Sequence, residues 1–596
     1  MRLQRHEVPV QETWNLTDLF QTDAEWETAR KAVVDQIPQL TAFKGRLGES
    51  AGLLLEAIST LEGLMEQLLR VFTYASLKSA QDGSDTENQE LMGKAYGLYA
   101  QVDAASSFLR SEILLLPEGT VEGWVETHAG LAAYRPFLKK LLADKPYLLH
   151  PQTEEALAAL GEVLDAPFVI YERAKSSDIT CPPVVINGKE IANSLSLYED
   201  DLETSADVNV RRAGYKSFAE GLGQFKNTLA ATWATEVKKN IVLAKLKGFP
   251  SATDMLLHKQ GVTQEPYNNL LDTIRAELAP HMRRYAELRK KVLGLDHLLY
   301  CDLEAPLDPE YDPRIGWEEG AKTTLEALSV LGPEYMELME RSIAERWVDR
   351  CDNVGKQTGA FCTTPYGSHS YVLMTWTGQA RNLFTLAHEL GHAGHFELAN
   401  RNQKLLNTDV STYFVEAPST LNEMLLGDKM IREATDPRMK RWVIISLLMT
   451  YHHNFVRHLS EGELQRRIYA LAEAGEQVTA ELLSETKGAI LKEFWGDSLE
   501  LDEAAKLTWL RQPHYYMGLY PYTYSAGLVA STAVAQTIRE EGQPAVDRWL
   551  EVLKAGSTKT PMELMAMAGL DMSTAAPIKK AVAYVGSLVD ELEKLF

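Results

Sequence analysis

A mainly α-helical protein with a small β-sheet is the fold class the sequence predicts, and three observations predict it. Apolar residues recur at spacings of three and four along most of the chain. Strand signals are confined to two short stretches. No internal repeat or low-complexity tract points to a solenoid or to disorder.

Taken in order, residues 20–130 read as successive amphipathic helices. In LLLEAISTLEGLMEQLLRVFTYASL (53–77) the apolar positions line one face and polar residues fall between them. The first strand signal is CPPVVINGKEI (181–191), where Asn187-Gly188 divides Val184-Val185-Ile186 from a short return, a strong hairpin cue. Residues 173–200 are the least helical stretch before residue 300, which puts a boundary near residue 200. It separates an N-terminal helical region with a hairpin, 1–200, from a larger second region, 201–596. Helical spacing resumes over 280–295, 317–345 and 438–498, and the Pro/Asp-rich run Ala305 to Pro313 reads as a loop. The second strand signal, GAFCTTPYGSHSYVLMTW (359–376), predicts two short strands near 359–363 and 370–376 around a turn at Pro365-Tyr366-Gly367.

The chain has 596 residues, and its 60 Lys+Arg against 83 Asp+Glu leave a net charge of −23. Binding to nucleic acid through phosphate neutralisation is therefore not expected. Four cysteines, Cys181, Cys301, Cys351 and Cys362, show no CxxC spacing and cannot frame a chain of this size with disulfides, which favours a reducing compartment. The N-terminal twenty residues mix charges with turn formers, unlike a signal peptide. The richest apolar stretch, Trp442 to Met449, is far short of the roughly 20 residues that span a bilayer. A soluble cytoplasmic protein without a membrane segment is the expectation.

Chemistry is concentrated in TLAHELGHAGHFELAN (385–400). His388-Glu389-Leu390-Gly391-His392 is an HExxH match among Leu383, Phe384, Leu386, Ala387, Leu390 and Phe396 at helical spacing. On a helix, positions i and i+4 share a face, so two imidazoles can converge on one metal ion while the adjacent Glu389 reaches a water on it. From the 14 His and 83 acidic residues, about 0.05 such matches per chain arise by chance, so the motif is specific.

A catalytic zinc takes a third protein ligand and keeps one position open. The HExxHxxGxxH pattern fails, because His395 and Leu398 stand where Gly and His would be needed. His395 lies seven residues beyond His388, which on a straight helix separates their β-carbons by roughly 10 Å, too far to share one ion. It reads as a packed residue or one that supports a ligand. Glu416 is the better third ligand: the 24 residues after His392 allow a helix end, a loop and a returning helix. Pro418 then belongs in the first turn of that helix or at a kink. Glu423, on the same face, either orients a ligand histidine through its other ring nitrogen or is a solvated helix carboxylate.

These blocks, His388 to His392 followed by Phe414-Val415-Glu416-Ala417-Pro418-Ser419 and Glu423, resemble the M3 family of zinc peptidases, and within it the oligoendopeptidase F branch. GAFCTTPYGSHSYVLMTW resembles the strand block before the metal helix, and HYYMGLYPYTYSAGL (514–528) the family's His/Tyr-rich loop. The resemblance at motif level runs from Gly359 to Leu528 and implies a catalytic domain over roughly residues 205–590. It further implies a two-lobed, helical, zincin-type metallopeptidase with a small sheet beside the active site and a deep substrate channel. The implied activity is zinc-dependent endopeptidase cleavage of short oligopeptides. One Zn²⁺ is held by His388, His392 and Glu416, and Glu389 activates the zinc-bound water. Five of the chain's 24 tyrosines fall between His514 and Tyr524. The resemblance assigns His514, Tyr520 and Tyr524 to stabilising the negative oxygen of the reaction, with Tyr522 a near rival for that face. Gly518 and Gly527 would let the loop move. The stretch from Ser370 to Trp376 is read as either a sheet edge that pairs with substrate or an internal strand.

Two alternatives stand beside this reading. A helical zinc carboxypeptidase would need a cationic anchor, for which Arg381 and Arg511 are candidates. A catalytically inactive peptide-binding scaffold would be marked by a lost Glu389 or ligand, and neither is lost. An aminopeptidase GAMEN-like block is not found near the motif; the nearest string, Gly63-Leu64-Met65-Glu66-Gln67, lies more than 300 residues upstream in a helical pattern. Oligopeptides are the expected partners, with no nucleic acid and no membrane.

Overall fold

Helices dominate the computed structural model, which describes residues 2–186 and 188–596, and five short strands form two small sheets. The helices Asp23–Thr41, Ala51–Gln81 and Thr86–Leu115 begin where the sequence supplies caps. The side chains of Thr22, Ser50 and Asp85 accept hydrogen bonds from the otherwise unpaired amides of Glu25, Leu53 and Glu87. Their apolar faces meet in a core that includes Trp26, Val33, Leu40, Leu54, Ile58 and Leu77. Burial of each such Val, Leu or Ile side chain stabilises the fold by about 1.5–3 kcal/mol. The Trp26 indole donates to the Val71 carbonyl at 2.8 Å, so its one polar atom is satisfied inside the core.

Two compact units make up the chain. One comprises Met1–Leu148, Pro313–Lys429 and Val534–Gly569; the other comprises Leu149–Asp312, Met430–Ala533 and Leu570–Phe596. Each is assembled from three separated stretches, and residue 200 falls inside the second unit's first stretch.

In the first unit a three-stranded sheet follows the order β3-β5-β4, with β3 Val348–Asp349, β4 Phe361–Thr363 and β5 Tyr371–Leu373. β3 runs parallel to β5, and β4 runs antiparallel to it with Cys362 opposite Val372. β4 and β5 lie within the two predicted stretches. β3, two residues long, gave no periodicity to detect. β5 is the central strand, which decides the question left open for 370–376: it is internal, and β4 pairs on one side only. Tyr371 and Leu373 join the helical core, where Trp14 meets the Tyr371 ring edge-on at 6.3 Å. At the sheet's end, the buried Lys356 ammonium donates to Asp349 Oδ1 at 2.7 Å and to the carbonyls of Cys351 and Met374 at 2.8 and 2.7 Å. One cation thereby ties β3 to the end of β5.

The second unit contains the hairpin β1 Val184–Ile186 and β2 Lys189–Ile191, antiparallel with Val184 opposite Ile191. Gly188 has φ +76°, as a tight hairpin turn requires; Asn187 lies outside the described residues. The helix Gln264–Val292 packs along Ala576–Leu595, and Arg211 and Arg212 both donate to the buried Asp302 at 2.7 Å. No helix among the described residues is long and apolar enough to cross a membrane.

Lys356→Met leaves the buried Asp349 with Arg5 alone and strands two carbonyls. Removing one partner of such a buried pair costs about 3–5 kcal/mol, so the urea midpoint followed by tryptophan fluorescence should fall clearly; an unchanged midpoint would show that the ammonium does not hold the sheet.

Candidate active site

The HExxH residues lie on the helix Arg381–Asn402 in the first unit. Leu383, Leu386, Ala387, Leu390, Ala393 and Leu398 bury it from end to end, and the chain turns extended at Gln403, where it stops. The next long helix begins at Glu416, with Pro418 in its first turn, where a missing amide hydrogen costs nothing. The two helices approach closely at Gly391: a β-carbon there would lie 2.5 Å from both the Pro418 carbonyl oxygen and Ser419 Cα. Only a residue without a side chain permits this approach.

That approach sets the geometry. Glu416 Oε2 lies 3.4 Å from His388 Nε2 and 3.4 Å from His392 Nε2. These separations exceed a good hydrogen bond. They match the ligand-to-ligand edge of a tetrahedral ion, since bonds of about 2.1 Å give edges of about 3.4 Å. Among the described residues, this is the one trio of His, Cys, Asp or Glu found with donor atoms within 4.8 Å of one another. Two imidazoles and a carboxylate are a donor set suited to zinc. Charge fits as well. Burial opposes a positive charge on His388, yet Glu416 and Glu423 outweigh it and raise the His388 pKa well above an ordinary imidazole's. Burial likewise opposes the Glu416 carboxylate, and the two histidines hold its pKa well below the usual range. The pocket thus stabilises positive charge at its centre.

The residues around the trio restrain it. Glu423 Oε1 sits 2.7 Å from His388 Nδ1, on the face shared with Glu416, so it is no solvated helix carboxylate. Ser419 Oγ donates to Glu416 Oε2 at 2.9 Å. Glu389 is buried, with Oε2 lacking a hydrogen-bond partner. Burial raises its pKa above the ordinary carboxyl range, against the pull of His388 and His392. Burial, then the charge of Glu389, also pushes the Cys362 thiol well up, and β4 packs on the helix Arg381–Asn402. His395 stays apart from the trio, its ring packed between Phe396 and Phe414 at 5.5 and 5.7 Å. Burial and then His392 push it down to about 3, so it is a neutral packed residue.

His514, Tyr520 and Tyr524 form a second group, in the second unit. The His514 ring stacks on Tyr520 at 5.4 Å and meets Tyr524 at 5.8 Å, while Tyr520 and Tyr524 stand perpendicular at 5.2 Å. Tyr522 is not among them: its hydroxyl donates to Gln260 Oε1 at 2.6 Å and its ring packs edge-on against Tyr267. Tyr520 lies just before the helix Pro521–Glu541, whose first turn carries Tyr522 and Tyr524. Burial, then the charge of Lys175, pushes His514 down to about 4, so its ring is neutral near pH 7. His453 and His458 belong to the same group and were missed in the sequence. Their spacing of five fits no α-helical face, but it fits the π-helical turn His452–Arg457 that the structure contains here. The available signal was density, three of 14 histidines within seven residues. Arg511 is engaged by Glu199 and Glu203 at 3.0 and 3.3 Å, so its charge is already matched. Gly63 to Gln67 lie within the helix Ala51–Gln81.

Comparison with known proteins bears on the whole chain. The sequence model of Peptidase family M3 matches residues 202–584, and that of Oligopeptidase F matches 112–180. Oligopeptidase PepF of Bacillus subtilis (strain 168) is 34% identical over 592 residues, covering 99% of this chain and 88% of the relative. The oligoendopeptidase F homolog of Lactococcus lactis subsp. lactis is 29% identical, covering 100% of this chain and 99% of the relative. The crystal structure of oligoendopeptidase-F from Enterococcus faecium superposes with a TM-score of 0.74 at 28% identity, covering 96% of this chain and 99% of that one.

Glu423→Ala frees the His388 ring to rotate and to change its protonated nitrogen. Affinity for Zn²⁺, measured by competition with a chromophoric chelator, should fall about 10- to 100-fold; unchanged affinity would mean that Glu423 does not orient the histidine.

Proposed function

The chain belongs to peptidase family M3, and on that premise we propose that it hydrolyses internal bonds of short oligopeptides with one zinc ion held by His388, His392 and Glu416. The observation that carries this reading is the approach of Glu416 Oε2 to both histidine Nε2 atoms at 3.4 Å. Zinc, when bound, supplies a Lewis acid that polarises the scissile carbonyl and lowers the pKa of water. The rest is the work of the chain. Glu423 holds the proton of His388 on Nδ1, which leaves Nε2 its lone pair for the metal. Ser419 restrains the Glu416 carboxylate from behind.

Glu389 is the general base. Its Oε2 is buried, unpartnered and of raised proton affinity. It takes a proton from the attacking water and delivers it to the leaving amine. An extended peptide adds to the outer side of β4, and main-chain hydrogen bonds fix its register with little regard to side chains. Tyr520, Tyr524 and His514 take the role that the resemblance gives them, stabilising the negative oxygen that develops on the carbonyl.

The matched charge of Arg511 weighs against a carboxypeptidase anchor there, and the intact Glu389 weighs against an inactive scaffold. Four free cysteines support a reducing, cytoplasmic setting.

Glu389→Gln should retain one zinc per chain and lower kcat about 10²- to 10⁴-fold on an internally quenched, C-terminally amidated peptide. Full hydrolysis by that variant would refute the general-base assignment, and failure of the unaltered enzyme on amidated peptides would refute endopeptidase action.

A further inference from the structure

The Tyr524 ring stacks on that of His458, a residue far from it in sequence. The π-helical turn His452–Arg457 ends in a hydrogen bond from the His458 amide to the His453 carbonyl, five residues back. In an α-helix, residues five apart are rotated by about 140°. The inserted residue removes that rotation and brings the two rings together, with His458 Nε2 3.0 Å from His453 Nε2. One proton shared between neutral imidazoles accounts for this distance. Burial, then any positive charge on His453 or His514 and the nearby Arg457 and Lys487, keeps the His458 pKa well below an ordinary imidazole's. Two of these neighbours are matched elsewhere, Arg457 by Glu203 and Lys487 by Glu461.

The face of the His458 ring lies against Tyr524, with centroids 4.2 Å apart and planes 12° from parallel. It is closer and more nearly parallel than the contacts of this phenol with His514 and Tyr520, which come from the loop in which Gly518 adopts φ +70°. His458 is buried and is the first residue of the helix His458–Glu473, so it is held by helical backbone, by its partner His453 and by the core. A phenol that must present its proton to a developing charge needs its ring held to within about 0.5 Å.

We propose that His458 is a positioning residue: its neutral ring, set by the π-turn and by His453, is the platform that holds Tyr524 in its productive orientation. The proposal rests on the reading of Tyr524 as a donor to the reaction's negative oxygen. It assigns the effect to the stacked face of His458 rather than to its hydrogen bond.

Two variants of the full-length zinc enzyme separate these contributions. His458→Phe keeps a ring and loses the bond to His453, whereas His458→Gln keeps a polar partner for His453 and loses the ring. With the amidated peptide, His458→Gln should lower kcat at least about tenfold with KM within about twofold, and His458→Phe should stay within about threefold of the parent. In a Tyr524→Phe background, His458→Gln should cost less than about twofold more. Melting temperatures are read alongside, and His458→Asn replaces His458→Gln if the latter melts below the assay temperature. Three results would each overturn the proposal: a parental kcat for His458→Gln, an equal loss in His458→Phe, or losses that multiply with Tyr524→Phe. Full activity of Tyr524→Phe alone would instead remove the reading on which it rests.

Discussion

The close approach of two helices at Gly391 is the constraint on which the site depends. His388 and His392 face one way because they are one turn apart, and that much is local. The carboxylate that completes the trio comes from another helix, and it reaches both Nε2 atoms only because the backbone at Pro418 and Ser419 lies where a β-carbon of residue 391 would stand. The same approach sets Glu423 two turns beyond Glu416, against His388 Nδ1. The candidate metal ligands, the carboxylate beside His388 and the buried Glu389 therefore share one packing contact.

Such a site concentrates like charge, and burial makes this costly unless positive charge is supplied. Glu389, Glu416 and Glu423 surround two imidazoles, and the effect is visible in the raised proton affinity of His388 and the lowered one of Glu416. A small cation relieves this, and the two 3.4 Å separations from Glu416 Oε2 are of the size that a tetrahedral ion sets between its ligands. The sheet is held by different means. Lys356 closes the β3 end, Tyr371 and Leu373 anchor β5 in the helical core, and β3 and β4 each pair with β5 on one side.

Much of this was legible in the sequence, for identifiable reasons. HExxH is readable because its chemistry depends on helical spacing, and Glu416 because a returning helix has a minimum length. His395 could be set aside from the rise of a helix alone. What stayed hidden depends on tertiary contact. β3 owes its two residues to pairing with β5. The compact units are each assembled from three separated stretches, which no local pattern announces. The ring contacts of Tyr520 and Tyr522 differ because the helix begins between them, at Pro521, a start the tyrosine-rich sequence does not announce. His453 and His458 escaped notice because reading for a period of 3.6 discards the five-residue spacing that a π-turn creates.

The most direct test of the account is a crystal structure of the zinc-loaded protein at a resolution that separates ligand atoms. The account predicts one ion bonded to His388 Nε2 and His392 Nε2 at about 2.0–2.1 Å and to a Glu416 carboxylate oxygen at about 2.0–2.2 Å, with Glu389 outside the bonded set. An ion that takes His395 in place of Glu416, or that binds Glu389 directly, would contradict it.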